Sequence, residues 1–209
     1  MNGDDPSMAQ ARFRRDDLPL KEARMKEKRK AGIPDVLSII RKHVTRRMPK
    51  KLLEARIAAF LASQKMCVLA TCARGVPRAT PLEYHSDGTT LYMMVEAGRK
   101  VENIRENPNV SVGIHGPYKG WLSVKGVQIT GIAKILTVGS GEEFVLAAAV
   151  YPWKKYTREL GLTKLPASAR FLKIEAAVIE FIDMSLKTEG YAAGQVWRGS
   201  GHEFNQNTE

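Results

Sequence analysis

The chain has 209 residues and a formal net charge of +11 at pH 7, with 44% hydrophobic and 26% charged residues. These proportions are typical of a soluble globular protein that is long enough to bury one substantial core. No run approaches the roughly 18 to 20 apolar residues that a membrane-spanning helix needs. The acidic first residues also lack the apolar centre of a secretory signal. We therefore expect a cytoplasmic protein.

The positive charge is concentrated near the N-terminus. Residues 1–51 contain 15 Lys and Arg against 7 Asp and Glu, a net charge of +8, whereas the remainder of the chain has a net charge of only +3. We predict a basic, partly helical arm at 1–48, a folded domain at 49–190 and a tail at 191–209. The arm could contact nucleic acid, anionic lipid or an acidic partner. We favour a solvated tail, because Phe13 is the only aromatic residue among its charges.

Two amphipathic helices are predicted before the first strand. In DVLSIIRKHVTRR, Asp35 is suited to cap a helix start, and apolar residues recur at helical spacing. In PKKLLEARIAAFLASQ, Pro49 occupies the first turn, where its missing N–H leaves no bond unmade. The apolar faces consist of Val36, Ile39, Ile40 and Val44 in the first helix and of Leu53, Ile57, Phe60 and Leu61 in the second.

After Gln64 the hydrophobic period changes from 3.6 residues toward 2, which predicts strands. Three consecutive strands come first, and the tight turn SDG joins the second to the third, so we expect these two to be antiparallel neighbours. A short helix, two more strands, a helical region broken at Pro152 and a final strand follow. The predicted strands are MCVLATCA, RATPLEYH, TTLYMMV, NVSVGI, WLSVKGVQITGIAKILTV and RFLKIEAAVIEFIDM, and the short helix is GRKVENIRENP.

This order of elements predicts a mainly β fold with flanking helices. Strands linked by hairpins with few crossovers favour an antiparallel barrel over a doubly wound parallel sheet. Gly126 and Gly131 interrupt the longest strand, which indicates a strong bend in the barrel wall.

Motifs for metal binding or nucleophilic catalysis are not found in the sequence. It contains no catalytic-triad spacing, HExxH, P-loop or paired CxxC. The four histidines are scattered, so no metal site is predicted. Cys67 and Cys72 are five residues apart on one predicted strand and point to opposite faces, so they cannot easily form a disulfide. We interpret both as reduced core thiols.

A cluster of cations is predicted around the third strand. Arg78 begins the second strand, and Gly98, Arg99 and Lys100 open the short helix after the third. Because these strands are expected to pair, Arg78 should lie close to Arg99 and Lys100. Arginine forks and the free N–H groups of a helix start both bind phosphate oxygens. The alternative is a solvated helix start whose cations pair with glutamates of the same helix.

The second predicted strand contains a proline in its middle. Pro81 cannot donate a hydrogen bond to a neighbouring strand, so it belongs at a sheet edge, at a bulge or where a ligand replaces the neighbour. Backbone groups of Thr80 and Leu82 could then face a heteroaromatic ring. An ordinary edge strand explains the same pattern.

The segment CVLATCARGVPRATPLEYHSDGTTLYMMVEAGRKVENIRENPNVSVGI resembles the core of the pyridoxamine 5′-phosphate oxidase-like family. The similarity lies in the order of a helix, a strand, a strand with Pro-Arg-x-x-Pro, a hairpin, a Gly-Arg-Lys turn and a helix ending in Asn-Pro-x-Val. Further along, VQITGIAKIL resembles the family's V-x-V-x-G-x-A strand. The resemblance covers roughly residues 50–185 and implies an antiparallel split β-barrel that binds FMN.

The resemblance also implies roles for individual residues. Cations would hold the FMN phosphate, and the edge of the second strand would line the isoalloxazine ring, largely through its backbone. The phosphate would be held by Gly98, Arg99 and Lys100, and the phosphate or ribityl chain by Arg78. The ring would be lined by Ala79, Thr80, Pro81 and Leu82. Met93 and Met94 would contact the flavin from the third strand, and Lys125 would contact a polar flavin atom.

The function implied by the resemblance is an FMN-dependent oxidoreductase of unknown substrate, acting as a homodimer with the cofactor at the subunit interface. Oxidation of pyridoxamine 5′-phosphate itself is not expected, because the tail lacks the family's Trp-x-x-x-Arg-Leu-His pattern. A deazaflavin-dependent reductase and a non-enzymatic carrier or sensor of flavin or haem are the alternatives. The candidate proton donors are Tyr84, His85, Lys125 and Trp197.

Overall fold

The computed structural model describes residues 36–159, 161 and 163–199. Most of the predicted basic arm and the end of the predicted tail lie outside these residues. No helix in the described part of the chain is long and apolar enough to cross a membrane.

The chain divides into two units, Met1–Lys42 and His43–Glu209. In the first unit the described residues form helix α1, Val36–Arg41, within the segment predicted to be helical. The second unit contains the sheet and all the sites discussed below.

The elements of the second unit alternate between strands and short helices. In chain order they are α2 (Lys50–Ser63), β1 (Met66–Ala73), β2 (Val76–Glu83), β3 (His85–Asp87), β4 (Thr90–Val95), α3 (Arg99–Glu106), β5 (Asn109–His115), β6 (Lys125–Leu136), α4 (Glu142–Val150), α5 (Trp153–Glu159), β7 (Arg170–Asp183) and β8 (Gly194–Arg198). Short 3₁₀ turns precede β6, follow β6 and connect β7 to β8.

The eight strands form one antiparallel sheet in the order β2-β1-β5-β6-β7-β4-β3, with β8 added to β7. Every strand pair in the described chain is antiparallel, and the sheet curls over a core that α2 and α3 help to fill. The predicted mainly β, antiparallel split-barrel fold is confirmed. Strand β8 lies in the segment predicted as a tail, and sequence reasoning did not anticipate it.

The prediction that the second and third strands are antiparallel neighbours holds only next to the SDG turn, where β3 and β4 form a hairpin. The predicted second strand breaks at Tyr84 into two strands: β2, which pairs with β1, and the three-residue β3, which pairs with β4. Tyr84 is fully buried and turns inward: its hydroxyl donates to the Leu61 carbonyl at 2.8 Å, and its N–H donates to the Lys65 carbonyl at 2.9 Å. This anchor redirects the chain, so β2 and β3 lie at opposite edges of the sheet path.

Helix α2 supplies the core beneath the sheet. It begins at Lys50, so Pro49 precedes the helix as its N-cap and does not occupy the first turn as predicted; the predicted apolar face is buried. Burying each such side chain contributes about 1.5 to 3 kcal/mol. The buried residues of this face are Leu53, Ile57, Phe60 and Leu61.

The longest strands, β6 and β7, pair over twelve positions, and a register shift follows Thr130. Gly131 lies at this β-bulge, and a Cβ atom built there would be 2.5 Å from the Glu175 carbonyl oxygen. Only glycine allows the two backbones to approach this closely. Of the two glycines predicted to interrupt this strand, Gly131 is the one that lies at the register shift.

Helix α4 covers a second, smaller core on the β4 and β7 side. Phe144 stacks on Phe171 with ring centroids 5.3 Å apart, and Tyr151 packs on the same ring at 5.7 Å. Glu143 reaches the lysines Lys134 and Lys173 of β6 and β7. Hydrogen bonds from these lysines hold the pKa of the Glu143 carboxyl below its usual range. The helix is thus attached by an aromatic cluster and by ion pairs.

A buried glutamine joins β8 to the segment that leads into α2. The Gln195 side chain is 2% exposed; its oxygen accepts from the Met48 N–H at 3.1 Å, and its nitrogen donates to the Ala192 carbonyl at 2.7 Å. Both ends of a buried amide are therefore satisfied, as such groups require.

Replacing Gln195 with leucine should lower the free energy of unfolding by about 1 to 2 kcal/mol, because the change leaves a buried N–H and a partly buried carbonyl unpaired. Urea denaturation followed by circular dichroism measures this loss. Gln64→Leu is the control, since Gln64 is only half-buried and bonds to its neighbour Ser63. Equal stability of the two variants would contradict the structural role of Gln195.

Candidate functional site

A cavity of about 710 Å³ opens between the inner end of β2, the end of β4, the start of α3 and the segment that leads from α5 into β7. Its size is within the usual range for small-molecule sites. Apolar side chains form much of its wall, and two cations and one carboxylate face it. The lining residues are Leu82, Met94, Val95, Glu96, Ala97, Lys100, Thr157, Leu165, Pro166, Ser168, Ala169 and Arg170.

The start of α3 has the geometry expected of an anion site. Gly98 caps the helix with φ 142°, a conformation that favours glycine, and its carbonyl accepts from the N–H groups of Val101 and Glu102. Arg99 is exposed, and Lys100 is half-buried and lines the cavity. Among the described residues neither cation has an ion pair or a side-chain hydrogen bond. The proposed pairing with glutamates of the same helix is thus not seen for these two residues.

Helix α3 is held against β1 beside Arg78. The Asn103 amide donates to the Thr71 hydroxyl at 3.1 Å, and Thr71 is the cross-strand partner of Arg78. Directly paired residues of antiparallel strands point to the same face, so the Arg78 side chain emerges on the face that α3 covers. The predicted association of Arg78 with α3 is therefore supported by the β1 register, although the strand that carries Arg78 pairs with β1 and not, as inferred, with β4.

The five predicted contacts on β2 divide between its two faces. Arg78, Thr80 and Leu82 share the face of their partners Thr71, Leu69 and Cys67, which are buried, and Leu82 lines the cavity.

Ala79 and Pro81 point the other way, and both are exposed. Pro81 pairs with Val68 on an edge strand, where a missing N–H costs nothing, so the edge-strand explanation of this proline is confirmed. In the described chain the outer edge of β2 has no neighbouring strand.

The two methionines of β4 also differ. Met94 lines the cavity, whereas Met93 is 0% exposed and belongs to the main core. A ligand in the cavity could meet the Met94 side chain but only the backbone of Met93. Lys173 and Phe171 of β7 flank this stretch of β4 in the ladder.

Lys125 lies outside this cavity. Its ammonium group forms an ion pair of 2.9 Å with the buried Asp183 and lies 5.6 Å and 5.7 Å from the ring centroids of Phe60 and Phe181. These contacts give Lys125 a structural role at the start of β6. Within one protomer it is not brought together with Leu82, Met94 and Lys100.

The other candidate proton donors are likewise engaged elsewhere. Burial raises the pKa of the Tyr84 hydroxyl, which already donates to a carbonyl. The Trp197 indole donates to the Glu54 carboxylate at 3.2 Å. His85 lies 3.4 Å from Glu83 and packs edge-on against Tyr151, and burial lowers the pKa of its imidazole. None of these three residues lines the cavity.

The cysteines are free, as expected. Cys67 is buried and Cys72 is half-buried. Burial raises the pKa of the Cys67 thiol to about 12, so it remains protonated and unreactive at neutral pH.

Sequence reasoning missed the residues that close the cavity from the side of α5 and β7. Arg170, Ser168 and Thr157 come from the region after α4, about sixty residues beyond the predicted site. Only the pairing of Arg170 with Val95 across β7 and β4 brings this region to the cavity. The one available signal was an arginine at the start of a strand whose alternate positions are apolar apart from Glu180.

A second cavity, of about 690 Å³, lies on the face of the sheet where β1, β5, β6, β7 and β8 meet. Val68, Ile182 and Val196 line it and are each more than two fifths exposed. His115 lines it as well, with Nδ1 3.0 Å from the Gly116 carbonyl. Among the described residues no group of three His, Cys, Asp or Glu side chains could hold a metal ion.

Solved structures share this fold. A Listeria innocua protein provisionally named pyridoxamine 5′-phosphate oxidase is 25% identical; the match covers 63% of this chain and 98% of that one, with a TM-score of 0.51. A conserved hypothetical protein of Mycobacterium tuberculosis is 21% identical over 76% of this chain and 99% of that one, with a TM-score of 0.55. A haem-binding protein of Mycobacterium smegmatis is 20% identical over 72% of this chain and 59% of that one, with a TM-score of 0.54.

Among curated proteins, none matches this chain. A family model does match: residues 53–183, which run from α2 to the end of β7, fit the pyridoxamine 5′-phosphate oxidase family. This match spans more than half of the sequence and contains the edge strand, the hairpin and the start of α3 that form the cavity. The chain therefore belongs to the pyridoxamine 5′-phosphate oxidase family.

Proposed function

We propose that this protein is an FMN-binding oxidoreductase. The observation that carries the proposal is the cavity in which Leu82, Met94 and Lys100 meet. These residues come from three separate elements, and the family resemblance implies a cofactor contact for each of them.

The residues present are suited to the phosphate of FMN. Lys100 and Arg99 have no ion-pair partner in the described chain, and the first N–H groups of α3 point along the helix axis toward the same region. Arg78 emerges beside this helix. Unpaired cations at a helix start are stabilised when a phosphate neutralises them.

The edge of β2 is suited to the ring. Its backbone N–H and C=O groups have no neighbouring strand on the outer side in the described chain, and isoalloxazine has donors and acceptors along one side that such groups can satisfy. Ala79, Thr80, Pro81 and Leu82 would contribute mainly backbone contacts. Bound flavin would supply hydride transfer, while the chain orients the ring and excludes water.

We further propose that two copies associate through the sheet face that holds the second cavity. Val68, Ile182 and Val196 are exposed there, and Met66 of the same strand as Val68 is also exposed. Apolar surface of this kind on one side of a sheet favours a protein interface. Sedimentation velocity measures the mass; a monomer at all micromolar concentrations would contradict this dimer.

Haem binding is the second candidate, and His115 favours it. This histidine lines the apolar second cavity, and because Nδ1 contacts the Gly116 carbonyl, Nε2 is the nitrogen left to ligate a metal. The two candidates thus place their cofactors in different cavities, which makes them separable by experiment.

The visible spectrum of freshly purified protein tests these proposals together. Two broad flavin bands that disappear on dithionite reduction are expected, and titration of cofactor-free protein with FMN should quench the flavin fluorescence at one equivalent per chain. A single intense Soret band that His115→Ala removes would instead establish the haem alternative. If neither FMN nor haem binds, the proposed function is rejected.

A further inference from the structure

Arg170 is a cation of the cavity that the cofactor hypothesis does not use. It is the first residue of β7, its Cα partner on β4 is Val95, and it lines the cavity while being half-buried. In the part of the chain that the structure describes, it forms no ion pair and no side-chain hydrogen bond. A partly desolvated guanidinium without a counter-charge is stabilised by an anionic ligand.

The wall around Arg170 is largely apolar. Leu82 and Met94 face the cavity from β2 and β4, and Leu165 and Ala169 face it from the segment before β7. Hydroxyl groups are also present: Thr157 is only 4% exposed, and Ser168 lies two residues before Arg170. An apolar body carrying one anionic group and accepting hydrogen bonds matches these surroundings.

The charge balance favours a carboxylate over a phosphate. Lys100 belongs to the cofactor phosphate under the proposed function, which leaves Arg170 as the cation for a second ligand. Glu96 lines the same cavity and opposes a second negative charge there. A phosphate dianion would need more than one cation, whereas a carboxylate is matched by the planar fork of a single arginine.

We propose that this cavity binds an apolar organic carboxylate as the substrate, with Arg170 as the residue that recognises the carboxylate. The inference rests on the proposed function, because it assigns Lys100 to FMN. Ser168 is placed to donate a hydrogen bond from its hydroxyl to the same group, whereas the Thr157 hydroxyl donates to the Lys154 carbonyl. Arg170 is thus a specificity residue at the cofactor, supplied by β7.

Calorimetric titration of the FMN-loaded protein with 2-naphthoate, 2-naphthamide and 2-naphthyl phosphate tests this assignment. The three probes share one ring system and differ in charge. We expect 2-naphthoate to bind more tightly than the other two. Arg170→Gln should weaken 2-naphthoate binding by about tenfold to a hundredfold and leave the affinity for 2-naphthamide within about twofold.

Arg105→Gln is the matched control, since Arg105 is an exposed arginine of α3 outside the cavity, and it should change none of these affinities. Arg170→Lys retains the charge but not the fork and should give an intermediate loss. If a thermal melt shows that Arg170→Gln does not fold, the affinity of Arg170→Lys for 2-naphthoate tests the role of Arg170 instead.

Three results would overturn the inference. One is an unchanged affinity of Arg170→Gln for 2-naphthoate. Another is tighter binding of 2-naphthyl phosphate than of 2-naphthoate by the parent protein. The third is a parallel loss of FMN affinity in Arg170→Gln, which would assign Arg170 to the cofactor. If FMN does not bind at all, the proposed function fails separately, and the same titrations on the flavin-free protein still test Arg170.

Discussion

Replacing both Arg99 and Lys100 with alanine is expected to lower the affinity for FMN at least about a hundredfold while the fold remains intact. Each side chain would make a charge-assisted contact with the phosphate, and such contacts contribute about 1.5 to 3 kcal/mol each. Neither cation has a partner within the described protein, so its removal leaves no unpaired charge behind. Alanine also preserves the first turn of α3, because it has the highest helix propensity.

Quenching of flavin fluorescence during titration gives the dissociation constant, and circular dichroism verifies the fold. The matched control replaces Arg105 and Lys119 with alanine, which removes the same net charge from exposed positions outside the cavity. The control should bind FMN as the parent does at physiological ionic strength, where distant charges are screened. An identical dissociation constant for the Arg99 and Lys100 variant would show that the phosphate lies elsewhere.

Replacing Gly131 with alanine is expected to lower the free energy of unfolding by about 3 kcal/mol, the upper end for an overpacked core. The added Cβ would lie 2.5 Å from the Glu175 carbonyl oxygen and 3.3 Å from the Ile174 side chain. The first contact is with backbone in a paired strand, which cannot rotate away. For a chain of this length the melting temperature should fall by roughly 6 to 12 °C.

Gly113→Ala is the control for this substitution. Gly113 lies in β5 of the same sheet, and a Cβ atom there would meet nothing within 4 Å. Its melting temperature should stay close to that of the parent or rise slightly, because alanine restricts the unfolded chain. If Gly131→Ala and Gly113→Ala have the same melting temperature, then β6 and β7 can separate at the bulge, and the close approach of their backbones is not required.

The candidate site shows which of its residues local sequence patterns can predict. Thr80, Leu82, Met94 and Lys100 lie within one stretch of about twenty residues whose order of elements is characteristic of the family. Local chemistry indicated Thr80, Leu82 and Lys100, whereas Met94 was implied by the family resemblance. Lys125 was assigned to a flavin contact only from its position on the long strand. The structure reveals its ion pair with Asp183, which lies far along the chain.

The sequence by itself determined the class of fold and the cationic start of α3. Period-two hydrophobicity, short turns and Gly98 before two cations are local features, and local features are read directly from residue order. Pro81 likewise restricted its position to a sheet edge, a bulge or a place where a ligand replaces the neighbour, because the lack of an N–H is a property of one residue.

Only the tertiary structure decided which strands pair and which distant residues share the cavity. The burial of Tyr84 directs β2 to β1 and β3 to β4, and nothing within the RATPLEYH stretch indicates that break. Arg170 reaches the cavity through its pairing with Val95, seventy-five positions away in the chain. Such contacts depend on how the side chains of the core pack together, and this packing involves residues from the whole domain.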